Sequence, residues 1–201
     1  MPFPTDDDCL YGPLTPELLE ARTVSNLKGF SVRLVDGSVP LPSRRKIAHV
    51  AMVAQRSMSR YPAGYDGTVT EDDPRLYVLA AQERAIAFVL TASDTIFWRL
   101  SWRVDHKFEL LQRESLEHSG PKVGRVWVAT ERRRQRLSAL LMEVAAEHLA
   151  VQVPALGWEL PFSRDGAALV QYLLPSAFYG CCDPYTLRKA INEQAASHHA
   201  T

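Results

Sequence analysis

The stretch that decides the fold is GRVWVATERRRQRLSALLMEVAAEHL, residues 124–149. Its first six residues form a compact apolar run, which predicts a strand. From residue 137 onward, apolar residues recur at the spacing of a helical turn, which predicts an amphipathic helix. The apolar stripe comprises Leu137, Leu140, Leu141, Val144, Ala145 and Leu149, and the outward face carries Gln135, Glu143 and Glu147. An arginine-rich connection therefore joins a strand directly to a helix.

That connection contains four arginines, Arg132, Arg133, Arg134 and Arg136. A helix N-terminus offers unpaired backbone N–H groups and about half a positive charge, so it binds anions, and a pyrophosphate is a natural guest. Arginines add charge-assisted hydrogen bonds to phosphate oxygens. They could instead merely solvate the start of the helix. Because cations are favoured at the opposite end of a helix, their position favours an anion site.

Further elements lie on both sides of this stretch. Apolar runs and alternating patterns bounded by turn residues predict strands at 30–35, 76–81, 85–90, 96–104, 156–162 and 178–182. One helix is predicted from Ser43, and another, after a turn at 163–166, carries Ala168, Leu169, Tyr172 and Leu173 and stops at Pro175. This order predicts an α+β fold, with a mixed, largely antiparallel sheet flanked by helices on both faces.

Length and composition indicate how the chain is organised. It has 201 residues, of which 46% are apolar, enough for one sizeable core. We expect a single domain over residues 27–191, with poorly ordered tails at 1–26 and 192–201. Residues 61–74 are expected to form a loop, and residues 106–122 an exposed excursion.

Charge and cysteine content exclude several classes of protein. The 23 basic residues balance 23 acidic ones, which argues against a nucleic-acid partner. No apolar run reaches the roughly 20 residues of a membrane-spanning helix, and the acidic start lacks signal-peptide features, so no membrane partner is expected. Cys9, Cys181 and Cys182 form neither a disulfide framework nor a metal grid. They predict a reducing, intracellular compartment and no metal cofactor.

A resemblance to a known family begins in the arginine-rich stretch. The pattern Val-x-x-x-x-Arg-Arg-x-x-Leu-Ser, from Val128 to Ser138, resembles the coenzyme A pyrophosphate motif of the GNAT N-acetyltransferase superfamily. More narrowly, RVWV at residues 125–128 and the loop after it resemble the acetyltransferase domain of the sister-chromatid cohesion (Eco/ESCO) family. The resemblance covers residues 76–182 and implies a GNAT fold that uses acetyl-CoA.

The resemblance continues downstream of the arginine-rich loop, and the loop itself departs from the wider superfamily at two positions. Phe162-Ser163 with Asp165-Gly166, and then Tyr172 six residues before Phe178, resemble the Phe-Ser, Asp-Gly and Tyr-x5-Phe pattern of the cohesion family. The wider superfamily prefers glycine at the position of Arg136, and glycine or alanine at that of Ser138, because the backbone must approach phosphate closely. The cohesion family also carries a basic residue at the first of these positions.

The resemblance assigns the residues that bind acetyl-CoA. The backbone of Val126, Trp127 and Val128 would hold the acetyl-pantetheine arm. The loop that would cradle the pyrophosphate comprises Arg133, Arg134, Gln135, Arg136, Leu137 and Ser138.

Acetyl transfer to an amine also needs groups that accept and donate protons. Asp165 and Glu159 are the candidate bases. The cohesion family has an acidic residue directly after its Phe-Ser pair, where this chain has Arg164, and Asp165 could instead be only the Asp of an Asp-Gly turn. Tyr172 lies where many GNAT enzymes carry the tyrosine that protonates the coenzyme A thiolate, but it could equally be a core residue. His148 is expected to be a packed histidine at the helix boundary.

The resemblance therefore implies an enzyme that transfers acetyl from acetyl-CoA to an amine, with a protein lysine as the expected acceptor. Direct attack in a ternary complex is expected, because no activated cysteine is evident. A GNAT enzyme acting on a small-molecule amine and a non-catalytic coenzyme A-binding module are the alternatives. The compartment would be nuclear if the cohesion resemblance reflects function, and cytoplasmic otherwise.

Overall fold

The computed structural model describes residues 18, 20–27, 29–44, 47, 75–81, 84–104, 107–110 and 116–196. The strands are β1 (Arg22–Leu27), β2 (Phe30–Val35), β3 (Arg75–Ala81), β4 (Arg84–Trp102), β5 (Phe108–Leu110), β6 (Leu116–Val128), β7 (Gly157–Glu159) and β8 (Ala177–Cys181). The helices are α1 (Leu137–His148), α2 (Arg164–Leu173) and α3 (Pro184–Ala196). The chain forms two compact units, Met1–Thr91 with Arg125–His148 and Ala92–Gly124 with Leu149–Thr201, so β4 and β6 each run through both.

In the first unit, β1, β2, β3 and the start of β4 pair antiparallel in that order. The alternation that predicted β2 buries one of its faces: Val32 lies opposite Leu79, Leu34 lies opposite Tyr77, and all four are fully buried. The ring of Trp127 stacks on that of Phe88, with centroids 5.7 Å apart. These contacts hold the end of β6 in the core of the first unit.

Helix α1 packs on β1 and β3. Its buried residues are Leu137, Ala139, Leu141, Met142, Val144, Ala145 and Ala146, while Gln135, Glu143 and Glu147 are exposed as predicted. Leu140 and Leu149 of the predicted stripe are only half-buried. The helix therefore fixes the geometry of the arginine-rich connection that precedes it.

In the second unit, β4 pairs antiparallel with β5 and β8, whereas β6–β7 and β7–β8 are parallel. The sheet is thus mixed and largely antiparallel, and the predicted α+β class is confirmed. An aromatic cluster of Trp102, Phe108, Phe162 and Phe178 surrounds the start of α2, with the Trp102 and Phe178 centroids 4.6 Å apart. The indole Nε1 of Trp102 also donates to the carbonyl of Leu174, at 2.8 Å, just beyond the end of that helix.

Several predicted boundaries were wrong around β4 and β6. The strands predicted at 85–90 and 96–104 are one strand, because the polar residues between them find partners: Thr91 is buried and donates to the carbonyl of Arg75, and Asp94 pairs with Lys122. On the apolar side of the strand predicted at 96–104, Leu100 is fully buried, whereas Ile96 and Val104 are exposed. Strand β6 begins at Leu116, and β5 precedes it, so much of the predicted excursion is sheet.

The termini and the region around α2 also differ from prediction. Strand β1 lies inside the segment predicted as a tail at 1–26, with Leu18 and Ala21 buried before it. Strand β7 is only three residues long. Helix α2 begins at Arg164, where a turn was predicted, because Ser163 caps it.

Helix α3 was missed, and it extends into the predicted tail at 192–201. Its start carries a recognisable signal: the Asp183 carboxylate accepts from the backbone N–H groups of Tyr185 and Thr186, and Pro184 is the first helical residue. Residues 41–44 and 47 are helical, and the rest of the helix predicted from Ser43, with the loop at 61–74, lies outside the described residues. The single-domain assignment stays a prediction.

Candidate functional site

The predicted cofactor residues form one continuous segment of the first unit, from the end of β6 to the start of α1. Trp127 is 4% exposed and its ring lies in the core, so it can offer a ligand only its backbone. The flanking Val126 and Val128 are half-buried. A 3₁₀ turn at Thr130–Arg132 then leads into the loop, where residues 132–136 are all exposed.

Two arginines of this loop have backbone conformations that favour glycine. Arg134 has a φ of 64° and Arg136 a φ of 60°, both in the left-handed region. An L-residue there costs roughly 1–2 kcal/mol, which glycine would avoid. Arg136, where the resemblance implies glycine in the wider superfamily, is therefore one of two strained arginines. Strain retained in an exposed loop points to a functional requirement.

Hydrogen bonds within the segment hold this conformation. Nε of Arg133 donates to the carbonyl of Val128 at 3.3 Å, and the side-chain amide of Gln135 donates to the carbonyl of Glu131 at 3.5 Å. The backbone N–H of Leu140 donates to the carbonyl of Arg136 at 3.1 Å, which is the first helical hydrogen bond of α1. The loop is thus tied to the strand before it and to the helix after it.

The end of α1 is suited to an anion. The first amide N–H groups of a helix have no acceptor within it, and they carry the positive end of the helix dipole. The first turn of α1 has no acidic side chain that would oppose an anion. Leu137 is buried, so only its backbone can reach a ligand, whereas Ser138 is half-buried and retains a usable hydroxyl. Backbone amides at this helix end therefore follow directly on a loop of exposed arginines.

Two of the three predicted catalytic residues lie on α2 of the second unit. Ser163 caps this helix by accepting the N–H of Gly166 at 3.1 Å, which places Asp165 in the exposed first turn. Tyr172 is 57% exposed, so the alternative that it is a core residue was wrong. Seven residues separate Asp165 from Tyr172, which is about two turns, or roughly 10 Å along one side of the helix.

The third predicted catalytic residue, Glu159, ends β7 and is half-buried. It lies near an ion pair that sequence reasoning missed, between Lys122 Nζ and Asp94 Oδ2 at 2.7 Å. Burial alone would lower the pKa of Lys122. The hydrogen bond and charge of Asp94, with the charge of Glu159, outweigh burial and raise that pKa. No local pattern could have indicated this pair, because its members lie on different strands, 28 positions apart.

The two cysteines of the second unit are poor nucleophiles. Burial raises the pKa of the Cys181 thiol far above its ordinary value, and burial with the nearby Asp183 raises that of Cys182 to about 12. Only a thiolate attacks a thioester readily. Within the described part of the chain, no group of three or more histidine, cysteine or acidic side chains could hold a metal ion. In the same residues, no helix is long and apolar enough to cross a membrane.

His148, the last residue of α1, is held in a hydrogen-bond network. Nη2 of Arg22 donates to its Nε2 at 3.1 Å, and its Nδ1 lies 2.9 Å from the hydroxyl of Tyr77. A guanidinium group can only donate, so Nε2 is the acceptor and Nδ1 carries the proton. Burial and the charges of Arg22 and Arg75 lower the pKa of His148. His148 is therefore a structural, neutral histidine.

The fold is similar to that of solved GNAT acetyltransferases. No family model matches the sequence, and no curated protein matches it. The structure of the xEco2 acetyltransferase domain bound to a K105-CoA conjugate matches with a TM-score of 0.64 at 11% identity, over 82% of this chain and 98% of that one. A second structure of the xEco2 domain matches with a TM-score of 0.58 at 13% identity, over 82% and 97% of the chains.

A weaker likeness extends to other acetyltransferases. The ribosomal-protein-alanine N-acetyltransferase from Brucella melitensis biovar Abortus 2308 matches with a TM-score of 0.43 at 14% identity, over 72% of this chain and 90% of that one. The two xEco2 matches establish the fold, and the predicted GNAT-like class is confirmed. The roles of individual residues rest on the geometry of this chain.

Proposed function

We propose that this protein is an acetyl-CoA-dependent N-acetyltransferase. The observation that carries the proposal is the exposed loop between β6 and α1, where Arg134 and Arg136 retain left-handed backbone conformations directly before a helix N-terminus. Strain of this kind is retained where the backbone must present its N–H groups to a ligand. A diphosphate fits both the amides and the guanidinium groups around them.

The first unit supplies the groups that bind acetyl-CoA. Arg133 and Arg134, with the backbone of Leu137 and Ser138, would bind the diphosphate. The backbone of Val126 and Val128 would hold the pantetheine arm by strand-like hydrogen bonds, beyond residues 122–123, where β6 pairs with β7. Trp127 contributes its backbone only, because its ring is buried.

The second unit supplies the proposed proton-transfer groups. An alkylammonium acceptor has a pKa near 10.4, so making it neutral at pH 7 costs roughly 4–5 kcal/mol without help. Glu159 or Asp165 would take the proton from this ammonium group. The neutral amine then attacks the thioester carbonyl and forms the N–C bond, the C–S bond breaks, and its electron pair leaves on sulfur. The nitrogen loses its second proton to solvent, which leaves a neutral amide. The exposed hydroxyl of Tyr172 would donate the proton that converts the thiolate to free coenzyme A.

We propose a protein lysine as the acceptor. Support comes from the xEco2 structure, which contains a K105-CoA conjugate and has the same fold as this chain. Direct transfer is favoured over an acetyl-cysteine intermediate, because burial raises the pKa of both Cys181 and Cys182.

Amine-dependent release of thiol from acetyl-CoA tests the proposal. We expect release with a synthetic lysine peptide, and weaker release with free lysine or spermidine. We expect a lower kcat in Tyr172→Phe, and in Glu159→Gln or Asp165→Asn, depending on which of the two carboxylates accepts the proton. Arg133→Ala should raise the KM for acetyl-CoA. Preference for the small amines would identify a small-molecule enzyme. Thermal stabilisation by acetyl-CoA, without thiol release from any amine, would identify a non-catalytic module and refute the proposal.

A further inference from the structure

The second unit contains three charged side chains that meet on one face of its sheet. Lys122 of β6 lies in register with Gly157 of β7, and Glu159 stands two residues further along β7. Side chains in register on neighbouring strands, and those two residues apart on one strand, point to the same face. Lys122 and Glu159 are therefore diagonal neighbours on that face. The charge of Glu159 acts on Lys122 strongly enough to help to raise the pKa of the lysine.

Asp94 fixes the position of Lys122. Its Oδ2 lies 2.7 Å from Nζ, and the two side chains are 27% and 23% exposed, so the pair is more sheltered than an ordinary surface ion pair. The pair raises the pKa of Lys122, so the ammonium form persists at neutral pH. A fixed positive charge therefore stands beside Glu159, whereas Asp165 lies in an exposed helical turn.

The neighbouring residue on β8 adds no charge to this face. Cys181 lies in register with Glu159 on β8, and burial raises the pKa of its thiol, so the sulfur stays neutral. One ammonium group against two carboxylates leaves one negative charge in excess. An excess negative charge attracts a cationic amine, and a carboxylate can accept its proton.

We infer that Lys122, anchored by Asp94, is a positioning residue that orients the Glu159 carboxylate to take the proton from the acceptor's ammonium group. This inference rests on the proposed acetyl transfer. The proton moves from the nitrogen of the acceptor to a carboxylate oxygen of Glu159, and then to solvent after the acetyl group has been transferred. Lys122 exchanges no proton and touches no reacting atom.

The test is the pH dependence of kcat/KM for a synthetic lysine peptide, at saturating acetyl-CoA, in wild type, Lys122→Met and Lys122→Arg. Removing a positive charge beside a carboxylate favours its protonated form. We therefore expect the acidic limb of the Lys122→Met profile to move to higher pH, with kcat/KM about tenfold lower on that limb. Lys122→Arg should restore most of the wild-type profile, and the affinity for acetyl-CoA should not change in any variant. Lys189→Met removes an exposed cation of α3 and should leave the profile as in wild type.

Lys122→Met removes the ammonium group beside the Asp94 carboxylate, which can impair folding. A second variant therefore removes the charge of Asp94 as well. Asp94→Asn/Lys122→Met removes both charges and should fold. Because the loss of the Asp94 charge opposes the loss of the Lys122 charge, this variant should keep only part of the shift of the acidic limb. If the wild type turns over and the acidic limb of the kcat/KM profile lies at the wild-type pH in either folded variant, this inference is overturned. The proposed acetyl transfer would then still stand. Absence of turnover in wild type overturns both.

Discussion

The arginine-rich loop of the first unit and the ion pair of the second unit use charge in opposite ways. The loop, residues 132–136, holds four exposed guanidinium groups on a backbone that is strained at two positions. The pair, Asp94 with Lys122, is sheltered and balanced by its own geometry. Exposed charge suits a ligand that arrives from solvent, whereas sheltered, paired charge suits the orientation of a neighbouring side chain.

The backbone reinforces this contrast. In the loop, arginines occupy conformations that favour glycine. In the second unit, Gly157 and Gly180 occupy positions where any side chain would overlap its neighbours. A Cβ at Gly157 would overlap Sγ of Cys181 and lie 2.6 Å from a ring carbon of Phe97, and a Cβ at Gly180 would lie 2.6 Å from Leu100. Dihedral strain is thus found in the proposed binding loop, and close packing is found near the proposed positioning pair.

The largest effect on stability is expected for Gly157→Ala in the second unit. The added methyl group overlaps buried atoms on two neighbouring strands, so the free energy of unfolding should fall by about 3 kcal/mol or more. Gly29→Ala in the first unit is the matched control: nothing lies within 4 Å of its Cβ, but its φ is +82°. That variant should lose only about 1–2 kcal/mol. Urea unfolding measures both, and a smaller loss for Gly157→Ala would remove the contrast.

An intermediate effect is expected in the loop, from the pair Arg136→Gly and Arg136→Ala. Both variants lose the same side chain, so they differ only in the backbone at a φ of 60°. The glycine variant should be more stable by about 1 kcal/mol. At Arg132, in the 3₁₀ turn and outside the left-handed region, the order should reverse, with alanine more stable than glycine. Equal stability of the two Arg136 variants in urea would show that the loop is not strained.

The smallest expected effect is on the pH dependence of stability, and it comes from His148, which lies near the cations Arg22 and Arg75. Burial with Arg22 and Arg75 lowers its pKa, so the folded state favours the neutral ring more than the unfolded state does. Its contribution to stability is therefore present above pH 6.5 and is lost as the pH falls below that value. Between pH 7.5 and 5.5, the wild type should lose more unfolding free energy than His148→Gln. A parallel decline of the two proteins in urea would contradict this assignment.

The sequence predicted the local features of the fold well. Strand β2 and helix α1 have the predicted bounds to within a residue, because in each case the apolar period matches the face that is buried. Strand β4 was divided in two, since Thr91 and Asp94 look like turn residues until their partners on neighbouring strands are known. Local pattern carries no information about such distant partners.

The same limit applies to the candidate site: local patterns could be predicted, and contacts between distant residues could not. The predicted cofactor residues all lie between positions 126 and 138, so a motif could indicate them. The left-handed conformations of Arg134 and Arg136 were hidden, because the residue type argues against them. Lys122 and Asp94 were missed because only strand pairing in the second unit brings them together.

Titration calorimetry of acetyl-CoA into wild type and Arg133→Ala/Arg134→Ala tests the central claim most directly. We predict one site in the wild type, and a Kd at least about 100-fold higher in the double variant, since each charge-assisted hydrogen bond contributes roughly 1.5–3 kcal/mol. Arg188→Ala/Lys189→Ala, which removes two exposed cations from α3, should bind as the wild type does. Absence of binding in the wild type, or equal affinity in the loop variant, would contradict the account.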